Sequence, residues 1–146
     1  MDKLEENIVT EIAQELDCGN DCYYNPKTKE LIYIPNADLR ATGDEEYYNE
    51  IFKDVLEKIK RQKKDFIKIG ELQSFESFKI MENFKNKIKD NHFKEKLNEA
   101  LNDRNPFQNF KYLIDNSDYR EIWFTFKQKE LEKIVIERIV RNNAST

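Results

Sequence analysis

Glycine, proline, cysteine and histidine are all scarce in these 146 residues, numbering three, three, two and one. The glycines stand far apart at 19, 43 and 70. A phosphate-cradling loop or a dinucleotide fingerprint needs them clustered, so both are excluded. With so few chain breakers, long regular elements joined by short turns are expected. Cys18 and Cys22 form a Cys-x-x-x-Cys pair with no second pair of ligands, and His92 lies about seventy residues further on. A zinc site usually needs four ligands, so no metal and no cofactor are expected, and in a reducing compartment both thiols stay free. No run approaches the ~18 apolar residues of a membrane span, so no membrane partner is expected. Met1–Glu6 lacks the basic and apolar regions of a signal peptide, and the expected location is cytoplasmic.

Acid–base and nucleophilic sites are equally hard to assemble. His92 is the sole imidazole and sits in Asp90-Asn91-His92-Phe93-Lys94, a helix start where an exposed polar residue is ordinary. The carboxylate runs Glu5/Glu6, Asp44/Glu45/Glu46 and Glu130/Glu132 suit solvated faces and helix N-termini. No catalytic residue is assigned.

What the chain does have is charge and aromatic surface. It carries 25 basic and 29 acidic side chains, a net −4, with ten Phe, seven Tyr and one Trp. So many aromatics argue against disorder. Residues 1–60 hold 7 basic and 15 acidic side chains, whereas residues 61–146 hold 18 and 14. The −8 and +4 halves fit either mutual docking within one domain or a basic surface for an anionic partner.

Periodicity supplies the layout. Leu4, Ile8, Ile12 and Leu16, with Val9 beside them, predict a helix over about Asp2–Asp17, stopped at Cys18-Gly19-Asn20. Cys22–Tyr24 and Glu30–Pro35 flank a polar turn and read as a β-hairpin. Asn36–Gly43 reads as a loop, and Tyr47, Ile51, Val55 and Ile59 as the stripe of a second helix over Asp44–Lys63. Asp65–Ile69 alternates and reads as a third strand pairing with the hairpin. Helices follow over Ser74–Lys89 with Ser74 as cap, from Asp90 as cap, from Asn105-Pro106 with Asn105 as cap, and over Asp118–Arg141. In the last of these, Tyr119, Ile122, Trp123 and Phe126 share one face. Leu131, Ile134, Val135 and Ile139 share another, rotated by roughly a quarter to a third of a turn. Either the helix bends near Gln128-Lys129, or the second face meets something else, such as another subunit. The expected fold is α+β: a small three-stranded antiparallel sheet with N-terminal helices, then a helical C-terminal portion. One domain is expected over 1–146, divided into an α/β part (1–73) and a helical part (74–146).

Two features of the helical part could carry function. Lys79, Lys85, Lys87, Lys89, Lys94 and Lys96 could track a phosphate backbone or simply face solvent. Lys85 falls inside the apolar arc of Phe78, Ile80, Met81, Phe84 and Ile88, and is expected to snorkel at its edge. The densest cluster is Arg104, Phe107 and Lys111 followed by Trp123 and Phe124. It fits a packed helical corner, with Arg104 bonding helix-end carbonyls. It also fits a ligand or partner site for an anion or acidic peptide.

Phe78-x-Ile80-Met81-x-x-Phe84, Arg104-x-x-Phe107-x-x-Phe110-Lys111 and Trp123-Phe124-x-Phe126 together resemble Uncharacterised Protein Family 0158 of bacteria. The likeness spans most of the chain and is firmest over residues 66–140. The chain departs from the family pattern at Asn105-Pro106, where a Gly-Ala-like pair is common, and at Lys85, where an apolar residue is common. The resemblance implies a bacterial α+β protein and carries over no catalytic residue. Three functions are open: a non-enzymatic interaction or regulatory module, binding another protein or a second copy through the last helix; a nucleic-acid-associated protein; and an enzyme using Arg104, Lys111 and carboxylates of the first half.

Overall fold

The computed structural model describes residues 2–36 and 45–144. Among the described residues, ten elements run in the order α1 (Lys3–Asp17), β1 (Asn20–Tyr24), β2 (Leu31–Pro35), α2 (Glu45–Ile51), α3 (Lys53–Arg61), β3 (Ile67–Ile69), α4 (Ser74–Lys87), α5 (Asn91–Leu101), α6 (Pro106–Asp115) and α7 (Arg120–Ala144). This is the expected α+β class. Packing groups them into two units: residues up to Glu71 together with those from Glu132 onward, and Leu72–Leu131.

The first unit is built on a sheet of order β2-β1-β3, antiparallel throughout. The expected hairpin pairs Tyr24 with Leu31 and Asn20 with Pro35, and the third strand adds to β1, Cys22 opposite Ile69. Asn25 fixes the hairpin turn by accepting from the Lys27 and Thr28 N–H groups. α1 packs on β1 and buries Ile8, Val9, Ile12, Ala13 and Leu16. Asp2 caps it, accepting from the Glu5 N–H at 2.8 Å, and Gly19 ends it at φ 92°, a conformation that side chains resist. Leu4, assigned to the same stripe, is 54% exposed, so the stripe meets the core only from Ile8 onward.

The second helix differs from expectation. It divides at Phe52 (φ −97°, ψ 10°) and ends at Arg61. No Gly or Pro marks that break. Tyr47 and Ile51 are exposed and none of α3 is buried, so the stripe is not core. A salt bridge from Lys58 Nζ to Glu30 Oε2 (2.6 Å) ties α3 to the hairpin. The loop reading of residues 37–43, and the Asp44 start of the helix, lie outside the described residues.

The second unit is all helical. Its centre is aromatic: Phe84 meets Phe110, Trp123 and Phe126 at ring-centre distances of 6.4, 5.2 and 5.3 Å, and Phe110 meets Trp123 at 4.9 Å. Offset and edge-on contacts at these separations add to the apolar burial. Asp90 caps α5 as expected, accepting from the His92 and Phe93 N–H groups. Two cap assignments change. Gln73, not Ser74, precedes α4, with Glu76 reaching back to its N–H at 3.0 Å. Asn105 precedes α6 in the left-handed region (φ 50°, ψ 54°), with no side-chain cap bond. That conformation costs glycine nothing and Asn comparatively little. α7 starts at Arg120, two residues later than expected, and Ser117 Oγ accepts from the Tyr119 N–H just before it at 3.1 Å. Ile122, assigned to the Trp123 face, is exposed.

α7 is continuous from Arg120 to Ala144, yet Trp123 belongs to the second unit and Val135 to the first. Of its second apolar face, Ile134, Val135 and Ile139 belong to the first unit, whereas Leu131 stays with Trp123 in the second. In the first unit, Arg138 Nη1 donates to the Gly70 carbonyl at 2.6 Å, Thr10 Oγ1 to Glu132 at 2.9 Å, and the Glu71 N–H to buried Asp21 at 3.2 Å. These bonds fasten the helix end and the turn after β3 to the α1–sheet layer.

Candidate functional site

Within the second unit, α6, α7 and one residue of α4 enclose a cleft of about 430 Å³. Its floor is apolar: Met81, Phe110, Ile114 and Trp123, all buried. Its lip carries Phe107 and Phe124, each 42% exposed. Helical spacing places them. Phe107 and Phe110 are three apart on α6, so the first reaches outward from the turn below the second. Phe124 follows Trp123 by one residue, about 100° round α7, which takes it off the core face to the rim.

The charges around this lip are mostly positive. Lys111, Arg120 and Lys127 line it, against one carboxylate, Asp115. Asp115 accepts an ion pair from Arg120 Nε at 3.4 Å. The Arg120 guanidinium carbon lies 5.2 Å from the Phe124 ring centre. Lys127 Nζ lies 5.2 Å from Phe124 and 5.7 Å from Trp123. Cations over ring faces hold both partners in place at a partly exposed surface. Such a lip can accept a carboxylate or phosphate while the floor takes an apolar or aromatic group.

Of the five residues singled out from sequence, Phe107, Lys111, Trp123 and Phe124 meet in this cleft. Arg104 does not. It is exposed just before α6, and neither its guanidinium nor its backbone bonds helix-end carbonyls; its N–H donates to its neighbour Asp103 at 2.7 Å. Arg104 is not among the residues that line the cleft. The residues missed were Arg120, Lys127 and Asp115. Their signal was present as spacing: Arg120, Phe124 and Lys127 recur at four and three residues, one stripe of α7.

Elsewhere the structure assigns little chemistry. His92 is exposed, as expected. Both cysteines are free, Cys22 buried and Cys18 exposed. No group of three or more metal-ligating side chains occurs among the described residues. Nor is any described helix long and apolar enough to cross a membrane. Lys85 does more than snorkel: its Nζ donates to Asn98 Oδ1 on α5 at 2.9 Å.

Neither the curated proteins nor the solved structures yield a significant match to this chain. The family model described as an uncharacterised protein family (UPF0158) matches residues 4–146, nearly the whole chain, and the protein belongs to that family.

Proposed function

We propose that the protein is a small cytoplasmic interaction module of bacteria, whose helical unit binds an acidic peptide segment bearing an apolar or aromatic anchor. The observation that carries this reading is an aromatic-floored cleft bordered by three cations and only one, already paired, carboxylate. The anchor fills the floor and the segment's carboxylates meet Lys111, Arg120 and Lys127. Among the described residues the lining holds no histidine, cysteine or hydroxyl side chain, and its one carboxylate is ion-paired with Arg120, which favours recognition.

Nucleic acid fits the charge less well. Residues 72–131 contain 11 basic and 10 acidic side chains, a net +1, which offers a polyanion little attraction.

Trp123 is the only tryptophan and lies on the cleft floor, so it reports occupancy directly. Titration with a short synthetic peptide, glutamates bracketing a Leu-Phe pair, is expected to change its fluorescence saturably. Lys111→Ala should weaken binding about tenfold, the loss of roughly one charge-assisted contact. No saturable change with the peptide, or a stronger and steeply salt-dependent response to a single-stranded oligonucleotide, refutes the reading.

A further inference from the structure

Among the exposed surfaces of the first unit, α2–α3 stands out as an amphipathic segment with its apolar side uncovered. Tyr47 and Ile51 are 56% and 52% exposed, one helical turn apart. Phe52 and Val55 beside them are only half-buried. Glu46, Glu50, Asp54 and Glu57 fringe this face and are all exposed. Residues 45–57 hold five acidic side chains and one basic, Lys53. The segment thus has the two properties the cleft asks of a ligand: apolar anchors at i and i+4, and surrounding negative charge. The cleft has the opposite pair, an aromatic floor and a cationic lip. Its volume suits one or two anchoring side chains rather than a whole helix.

We infer that the occupant of the cleft is the α2–α3 face of a second copy of this chain, with Tyr47 and Ile51 as anchors and Glu46 and Glu50 facing Lys111 and Lys127. This rests on the peptide-binding reading above and names its partner. The contact joins two different surfaces, so it closes as a two-fold dimer only if each copy supplies both; used one way, it propagates into chains. Complementary charge speeds the encounter and makes it salt-sensitive.

Sedimentation velocity of the full chain over a concentration series tests this. The wild type should self-associate, about tenfold or more weaker at high salt than at low salt. Two double variants should be monomeric with unchanged far-UV circular dichroism: Tyr47→Ala with Ile51→Ala, and Lys111→Glu with Lys127→Glu. Mixed in equal amounts, they should form a one-to-one complex, because one intact helix face then meets one intact cleft. Should either pair lose its helical signal, Ile51→Gln and Lys111→Gln take their place. A wild type that stays monomeric, or association that both double variants retain, overturns the inference. The peptide titration repeated on the monomeric Tyr47→Ala/Ile51→Ala variant separates the two ideas. A Trp123 response there keeps the cleft as a peptide site even if the second copy is not its ligand.

Discussion

Cys22 is fully buried on the central strand, opposite Ile69 and beneath α1. Burial, with Glu15, Asp21 and Glu11 nearby, pushes its thiol from the usual 9.0 up to about 12. Cys18, four residues earlier, is exposed. A chromogenic disulfide reagent should therefore count one thiol quickly in the native protein and the second only on unfolding. The same shift sets a direction with pH. In the unfolded chain the thiol loses its proton from about pH 9, but in the folded one only near 12. Across that window the unfolded state holds fewer protons, so stability falls as pH rises; below it the contribution is complete. Urea midpoints that fall less steeply with pH above 9 in Cys22→Ala than in the parent would verify this. Single side chains were also the least legible level of the sequence. Lys85 was placed correctly within its helix's arc, but its bond to Asn98 depends on where α5 lies, which no local pattern encodes. Arg104 beside Phe107 looked like part of a site because sequence neighbours look like spatial ones. Phe107 lines the cleft and Arg104, three residues earlier, does not.

The elements were read more reliably, because periodicity reports on one helix or strand at a time. The hairpin, the third strand and α4 to α7 all lie where alternation and helical spacing put them, to within a few residues. The exceptions have physical causes. The α2–α3 stripe is as regular as any, but amphipathicity shows only that a face is apolar, not that this chain covers it. The start of α6 was expected from a capping side chain, whereas Asn105 serves through its backbone at φ 50°. That distinction predicts a substitution pattern. Asn105→Gly should lie within about 0.5 kcal/mol of the parent in chemical denaturation. Asn105→Val should lose about 1–2 kcal/mol, the left-handed penalty of a β-branched residue. A side-chain cap would instead leave Asn105→Ser at the stability of the parent, whereas the left-handed backbone makes Ser costly as well.

At the level of the whole molecule, the expectation of a sheet followed by helices matches the order of elements, but the cores do not follow that order. Val135, fully buried, belongs with α1 and the sheet, although 66 residues separate it from Ile69. The rotated second face of the last helix was the visible trace of this arrangement. Its partner could not be named from sequence, since burial across such a separation leaves no local mark. Val135→Ala should cost about 2 kcal/mol, seen as an earlier far-UV circular dichroism transition in urea. Arg138 near it bonds the Gly70 carbonyl and holds the same helix end to the turn after β3.

This division also imposes an order of assembly during biosynthesis. The helical unit is one continuous stretch, Leu72–Leu131, and all of its residues are in hand as soon as that stretch has left the ribosome. The unit containing α1 and the sheet is made first yet completed last, because Val135 and Arg138 arrive only after the sixty residues between. At about 5–20 residues per second that wait is roughly 3–12 s. Throughout it the nascent α1–sheet layer lacks the residues that finish its core, which makes those seconds the period when the new chain most needs shielding from its neighbours.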